Sequence, residues 1–214
     1  MDQNMIKTNI DKPAKPEISL IILGVLKGYF NNAEDLWKKT LASKKELTNK
    51  LLLESPQYPA DFVNLISTVT ALYGELKKEL ENYIALSIVK AAFLPAGLAM
   101  QIGNFRYIED NHSFDNLIKY QQRTNKEGPT RFNKMEVIRQ DDSTYEFHVH
   151  NCMFSDVFSK LGVPELTKVM CAIDNISFNV YLPDVVHFHR NGSSNTIIGG
   201  KDYCTFICEN IHRE

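Results

Sequence analysis

The stretch KMEVIRQDDSTYEFHVH at residues 134–150 decides the fold class. Before it, apolar residues recur mostly at spacings of three and four, as in amphipathic helices, whereas within it the period changes to two. Residues 134–139 and 144–150 therefore predict two strands, and the polar residues between them predict the turn of a β-hairpin. A helical part followed by antiparallel strands indicates an α+β protein.

The chain before the hairpin predicts a layer of amphipathic helices over residues 17–100. Prolines predict breaks in this layer at residues 55–59 and around residues 94–97. The Lys and Glu residues within 75–86 predict a solvent-exposed helix face. A further helix is predicted around residues 114–120.

The chain after the hairpin predicts a short helix pair and two more strands. Residues 155–161 form the first helix, which Gly162 ends, and a second begins at residues 164–166 and runs to about residue 175. Residues 185–190 and 202–208 predict the remaining strands. The predicted architecture is an N-terminal helical layer followed by an antiparallel sheet with a short helix pair.

The length of the chain and the positions of its Pro- and Gly-containing loops predict three segments among the 214 residues. Residues 1–16 form a flexible leader, residues 17–128 the helical part and residues 129–214 the α+β part that carries the site, the last two together making one compact domain. The start lacks the basic and apolar regions of a secretory signal, and no apolar run reaches the roughly 20 residues of a membrane span. We therefore expect a cytoplasmic protein.

The charge balance predicts which partners the protein has. With 24 basic and 26 acidic residues, the net charge is -2, so the chain has no excess of basic residues that would bind a nucleic acid or an anionic membrane. The expected partner is a small-molecule substrate, and the sequence leaves a homo-oligomer open.

Cysteine and histidine are concentrated at the C-terminal end. All four cysteines lie in the last third of the chain, together with five of the six histidines. In a reducing cytoplasm thiols stay free, so this grouping favours a nucleophile or metal ligands over disulfides. The alternative is that the cysteines fill space in the core, where free Cys is common.

Strand alternation predicts which of these residues share a face. Glu146, His148, His150 and Cys152 should lie on one face of their strand, and Tyr145, Phe147 and Val149 on the other. The same rule groups His187 with His189, and Asp202 with Cys204, Phe206 and Cys208. If the strands pair with these faces aligned, one surface carries imidazoles, thiols and a carboxylate.

Such a surface could either bind a metal or carry a cysteine nucleophile. No C-x2-C pair is present, which argues against a structural zinc site, but a metal or an iron–sulfur cluster held by scattered residues stays open. A cysteine nucleophile needs a base and a group that orients the base. Cys152, with His150 or His148 and with Asp174, could supply such a set.

Three motifs resemble the L-2-amino-thiazoline-4-carboxylic acid hydrolase family. They are the strand and cysteine of 149–154 (VHNCMF), the helix start and C-x-x-D of 161–174 (LGVPEL, then CAID), and the C-terminal pattern of 196–206 (TIIGGKDYCTF). The order of these parts matches the family over roughly residues 135–208.

The resemblance implies a hydrolase that opens the ring of 2-amino-thiazoline-4-carboxylate to a carbamoyl-cysteine, with no cofactor expected. It implies Cys152 as the nucleophile and Asp174 as its base or orienting group, with Cys171 alongside. Of the remaining positions, Arg190 or Lys201 would bind the substrate carboxylate, and Cys204 and Asp202 would line the substrate site.

A second function remains open at the sequence level. A helical layer over an antiparallel sheet also looks like the vinyl-reductase-type domains that bind small apolar molecules. A pocket lined by Phe, Leu and Met would favour such a non-catalytic, sensor-like domain, whether or not it also held a metal. A cleft where imidazole, thiol and carboxylate converge would favour the hydrolase.

Overall fold

The computed structural model describes residues 17–105, 112–128, 130–192 and 194–212. The leader predicted at residues 1–16 lies outside the described residues. Within them the elements are α1 Ile18–Lys27, α2 Ala33–Glu54, α3 Ala60–Leu76, α4 Asn82–Phe105, α5 Phe114–Lys126, β1 Lys134–Gln140, β2 Thr144–Asn151, α6 Met153–Lys160, α7 Thr167–Ser177, β3 Val186–His189 and β4 Cys204–Asn210. Short 3-10 turns occupy Pro164–Leu166, Phe178–Val180 and Ile197–Gly199. The predicted α+β class is confirmed.

The four strands form one antiparallel sheet in the order β1-β2-β4-β3. The predicted hairpin is present as β1 and β2, and its turn is fixed by Asp141, whose Oδ1 accepts the backbone N–H groups of Ser143 and Thr144, both at 2.9 Å. The predicted helix pair, α6 and α7, connects β2 to the edge strand β3. As a result β4, which comes last in the chain, lies between β2 and β3.

The sheet has an inner face that is buried and an outer face that is partly exposed. On the inner face Val149 of β2 lies opposite Cys204 of β4, and Phe147 lies opposite Phe206. The side chains that cover this face come from the end of α4, from α5 and from the 3-10 turn after α7. The outer face carries the alternate residues, among them His148, opposite Thr205.

The helical layer and the helix pair share one apolar cluster. Its fully buried members include Ile66 and Leu72 of α3 and Val89 of α4. Phe158 of α6 and Val169 of α7 belong to the same cluster. The helix pair therefore packs against the N-terminal helices. In the chain it connects strand β2 to strand β3 of the sheet.

Helix α4 differs from the prediction at its centre. The break expected around residues 94–97 is wrong, because α4 continues through Pro95. A proline removes one backbone N–H and crowds the preceding turn, but here the helix packs against α1 and α7, which holds it together.

Among the described residues, α4 is the one helix long and apolar enough to cross a membrane by length and composition, a test that core helices of soluble proteins also pass.

The exposed helix face predicted at residues 75–86 is confirmed as exposed at Lys77, Lys78, Glu79 and Glu81, but it is not one helix. Helix α3 ends at Leu76 and α4 begins at Asn82, so this stretch contains a turn. Glu75 is buried, and its carboxylate accepts hydrogen bonds from Ser43 Oγ at 2.6 Å and from Lys78 Nζ at 2.7 Å. These bonds tie α2 to the end of α3.

Helices α4 and α7 approach closely at Gly97, and this contact can be tested. A Cβ at Gly97 would overlap the side chain of Ile173, whereas a Cβ at Gly103, in the same helix, would meet open space. We expect Gly97→Ala to lower the free energy of unfolding by about 1–3 kcal/mol through overpacking. Gly103→Ala should raise it by roughly 0.5–1 kcal/mol through helix propensity. Urea unfolding of the two variants measures both effects, and equal stability of Gly97→Ala and the wild type would contradict the close packing.

Candidate active site

Cys152 lies where the chain leaves the sheet and enters a helix. It follows β2 directly and is the residue before the first turn of α6, and its half-buried side chain packs against the inner-face cluster. Burial raises the pKa of the Cys152 thiol to about 11, while the backbone N–H groups of Ser155 and Phe154 act in the opposite direction. The start of a helix is a position that stabilises a thiolate, although here burial dominates.

Helix α7 presents a second thiol and a carboxyl group on one face. Cys171 and Asp174 are three residues apart, which places them on neighbouring turns of the same helix surface. Burial raises the pKa of Cys171 to about 12, and the charge of Asp174 acts in the same direction. This arrangement comes from the C-x-x-D sequence in a helix.

Arg190 is the only arginine with a buried side chain among the described residues. It follows β3, and its side chain is only 4% exposed. Its Nε donates to Asn175 Oδ1 at 2.7 Å, and its Nη2 donates to Asp174 Oδ2 at 3.2 Å. The guanidinium also donates to the backbone oxygen of Thr205 at 3.2 Å and lies 4.0 Å from the ring centroid of Phe206.

Cys204 completes this group from the sheet. Its side chain is buried on the inner face, and its Sγ accepts the backbone N–H of Ile197 at 3.2 Å. Burial raises the pKa of Cys204, and the Asp174 carboxylate raises it further, while Arg190 lowers it. The charge of Asp174 raises the pKa of Cys152 and Cys171 as well, so one carboxyl group acts electrostatically on all three thiols.

We call these five residues, Cys152, Cys171, Asp174, Arg190 and Cys204, the thiol cluster. Burial raises the pKa of Asp174 to about 6, against the lowering effect of Arg190. Because the Asp174 side chain is still 43% exposed, it can exchange protons with water. The three thiols are protonated near neutral pH, and Asp174 is the group of the cluster that titrates closest to neutrality.

The two histidines predicted to accompany Cys152 lie elsewhere. His148 is on the outer face, where its Nε2 lies 3.1 Å from Glu146 Oε1 and its ring stacks on Tyr203 with 4.0 Å between centroids. The Nε2 of His150 lies 2.9 Å from Glu136 Oε2. The prediction of one surface with imidazoles, thiols and a carboxylate is therefore wrong, because the sheet separates the imidazoles from the thiol cluster.

The remaining predicted residues do not join the thiol cluster. His187 is exposed, and His189 Nε2 lies 3.6 Å from Glu209 Oε1 on the outer face. Lys201 and Asp202 are exposed and precede β4. Cys208 is on the inner face as predicted, where burial raises its pKa to about 12. Among the residues that the structure describes, no group of three or more His, Cys, Asp or Glu side chains is arranged to hold a metal ion.

Sequence reasoning missed several residues that support Arg190. Asn175 accepts from Arg190 Nε, and Asn195 donates from Nδ2 to the backbone oxygen of Arg190 at 3.1 Å. An open cleft of about 250 Å³ lies beside Arg190, lined by Asn175, Phe188, His189, Arg190 and Gly192. The one sequence signal for Asn175 was its position directly after Asp174.

Comparison with known proteins gives one match. A family model described as L-2-amino-thiazoline-4-carboxylic acid hydrolase matches residues 63–208, which is well over half of the chain. No curated protein and no solved structure matches the chain. The matched range contains all five residues of the thiol cluster.

Proposed function

Because the chain belongs to the L-2-amino-thiazoline-4-carboxylic acid hydrolase family, we propose that it opens the ring of 2-amino-thiazoline-4-carboxylate or of a related small cyclic amidine. The product would be a carbamoyl-cysteine or its counterpart. The observation that carries the proposal is the thiol cluster itself: within the matched range Arg190 is bonded to Asp174, and the charge of Asp174 acts on all three thiols.

The proposed reaction adds one water across a ring bond. The ring carbon C2 is bonded to two nitrogens and one sulfur, which makes it an amidine-like electrophile. One C2–heteroatom bond in the ring breaks, the departing heteroatom takes a proton, and C2 keeps the oxygen of water as a carbonyl. Substrate and water alone balance this reaction, so we keep the expectation that no cofactor takes part.

Cys152 is the nucleophile that we propose. Its Sγ would bond to C2, the ring bond would break, and water would then cleave the Sγ–C2 bond and restore the thiol. The free thiol has a pKa of about 11, so it must lose its proton as it attacks. The substrate amidine is cationic when protonated, and a positive charge beside the thiol, together with the N–H groups of Phe154 and Ser155, favours the thiolate.

Asp174 is the proton carrier that we propose. The charge of its carboxyl group acts on Cys152 and Cys171, and the group has a raised pKa and partial access to water. It would accept the thiol proton on attack and return it to the departing ring heteroatom. His148 and His150 have no part in this step, because they lie on the outer face of the sheet.

Arg190 is the residue that we propose for the substrate carboxylate. Of its five N–H groups, three are used by Asn175, Asp174 and Thr205, which leaves two without a partner among the described residues. The cleft beside Arg190 gives a carboxylate a route to them. Lys201 is exposed outside the cluster, which makes it the weaker choice.

Mass spectrometry tests the proposed reaction directly. Purified protein is incubated with L-2-amino-thiazoline-4-carboxylate, and carbamoyl-cysteine is measured beside a reaction without protein. We expect product at a rate proportional to protein concentration. Folded protein that gives no product from this compound or from related cyclic amidines would reject the hydrolase, and the non-catalytic binding domain would then be tested by ligand screening.

The cellular setting remains part of the proposal. We propose a cytoplasmic protein whose partner is a small-molecule substrate, because the balanced charge of the chain offers no footprint for nucleic acid. A reducing cytoplasm would also keep the thiols of Cys152, Cys171 and Cys204 free, as the proposed chemistry requires.

A further inference from the structure

Two tyrosines of the helical layer donate hydrogen bonds to carboxylates on the segments that carry the thiol cluster. Tyr73 Oη lies 2.7 Å from Glu165 Oε1, and Tyr58 Oη lies 3.1 Å from Asp156 Oδ2. Glu165 is in the 3-10 turn that directly precedes α7, and Asp156 is in the first turn of α6. Helix α6 and the turn before α7 are thus each bonded to α3 or to the residues just before it.

The Tyr73–Glu165 bond is the better defined of the two. The Tyr73 ring is fully buried in α3, and burial, followed by the Glu165 carboxylate, raises its pKa to about 12. The phenol therefore stays protonated and donates, and the carboxylate accepts. A short bond between a phenol and a charged acceptor is both strong and directional.

Directionality matters at the start of α7, where the contacts are otherwise apolar, whereas the second half of the helix is already bonded to Arg190 through Asp174 and Asn175. The helix packs through Val169 and Met170 into the shared cluster and through Ile173 against Gly97. Apolar packing is non-directional, so it permits small rotations and shifts along the helix axis. The 3-10 turn Pro164–Leu166 runs straight into α7, so an anchor at Glu165 fixes the start of the helix and, together with Arg190 at its other end, the position of Cys171 and Asp174.

We propose that Tyr73 and Glu165 are positioning residues, whose hydrogen bond sets α7 so that Asp174 and Cys171 face Cys152. The expected effect on the reaction rate rests on the proposed function. The effect of the hydrogen bond on the position of α7 does not depend on turnover. The helical layer would then act as the platform that aligns the site.

Kinetics of three variants test the proposal. Tyr73→Phe keeps the buried ring and removes the hydroxyl, and we expect kcat to fall by about tenfold or more while KM changes by less than about threefold. Glu165→Gln keeps an acceptor oxygen and should retain most of the rate, whereas Glu165→Ala should match Tyr73→Phe. Tyr145→Phe, which removes the hydroxyl of another buried tyrosine, is the control and should behave as wild type.

A second readout needs no substrate. Iodoacetamide is added to each folded variant, and the alkylation rates of Cys171 and Cys152 are followed by peptide mass spectrometry across pH. We expect Tyr73→Phe and Glu165→Ala to change the rate at Cys171 by about fivefold or more, and Glu165→Gln and Tyr145→Phe to leave it unchanged.

The two readouts separate the proposals. Altered Cys171 alkylation without turnover in any protein would support the positioning role and reject the hydrolase. Wild-type alkylation and wild-type kcat in Tyr73→Phe, with only a lower melting temperature, would overturn the positioning role. If Tyr73→Phe does not fold, the comparison of Glu165→Gln with Glu165→Ala decides in the same way.

Discussion

Cys152→Ala is expected to lose at least about a thousandfold of the ring-opening rate while keeping the fold, because removal of an attacking nucleophile has effects of this size. The substitution removes one sulfur atom from a half-buried position at the start of α6, beside the backbone N–H groups of Phe154 and Ser155, and leaves the apolar packing of the helix in place. The rate is measured as carbamoyl-cysteine formed per minute, and folding is measured by circular dichroism and thermal unfolding.

Other cysteines provide matched controls. Cys208→Ala removes a thiol that is buried on the same face of the sheet but lies outside the thiol cluster, so its rate should stay within about threefold of wild type, since it makes no contact with the reacting atoms. Cys171→Ala removes a thiol beside Asp174 and should have an intermediate effect. Because the sheet separates His150 from Cys152, His150→Gln should leave turnover unchanged.

A covalent intermediate gives a second, independent measurement. If Cys152 bonds to C2, protein mixed with substrate and quenched with acid should show a mass increase on the peptide that contains Cys152. Full turnover by Cys152→Ala would contradict the nucleophile. Water activated by Asp174 would then be the attacking group, and the thiols would serve only to line the site.

The sequence predicted the β-hairpin well because its period is strong and local. Tyr145, Phe147 and Val149 were assigned to one face, and all three are buried. The same rule failed at Cys152 because the chain leaves β2 at Asn151 and turns into α6. Strand alternation stops where the strand stops, so Cys152 does not share the face of His148.

The composition of the site could be predicted in part. The resemblance paired Cys171 with Asp174, and in the structure both lie in α7, three residues apart. Arg190 was chosen as a substrate ligand, but nothing local indicated that its side chain is buried against Asp174 and Phe206. That contact depends on how β3 and β4 pair, which a single sequence does not reveal.

The sequence also did not predict which side chains hydrogen-bond to the backbone of an edge strand. The carboxamide of Asn179 accepts the backbone N–H of Phe188 at 2.8 Å and donates to the oxygen of the same residue at 3.1 Å. It therefore occupies the free edge of β3, which would otherwise expose unpaired backbone groups. An asparagine near a helix end gives no sequence signal for such a distant contact.

Asp174→Asn is expected to lower the turnover rate by at least about a hundredfold, because it removes the proposed proton carrier, and at the same time to stabilise the fold. The sign of the stability change follows from the pKa. Burial raises the pKa of Asp174 from 3.8 to about 6, so the folded state binds the proton more tightly than the unfolded state does. The free energy of unfolding of the wild type should therefore fall as pH rises from about 4 to 6 and stay lower above that range.

The variant cannot ionise at this position and should lack that fall. Because 43% of the Asp174 side chain is exposed, water offsets part of the cost, and we expect Asp174→Asn to exceed the wild type by on the order of 1 kcal/mol at pH 8. The difference should vanish below about pH 3, where the carboxyl group is neutral in both states. Urea unfolding at several pH values measures it, with the exposed Asp202→Asn as the control.

Lower stability of Asp174→Asn at pH 8 would mean that the ion pair with Arg190 outweighs burial, and the carboxylate would then serve structure. Higher stability together with lost turnover would mean that the protein keeps an ionisable group that weakens its fold. Selection for stability alone would not retain such a residue, whereas a proton-transfer role would. This pair of measurements therefore distinguishes a structural Asp174 from a catalytic one without knowledge of the true substrate's binding pose.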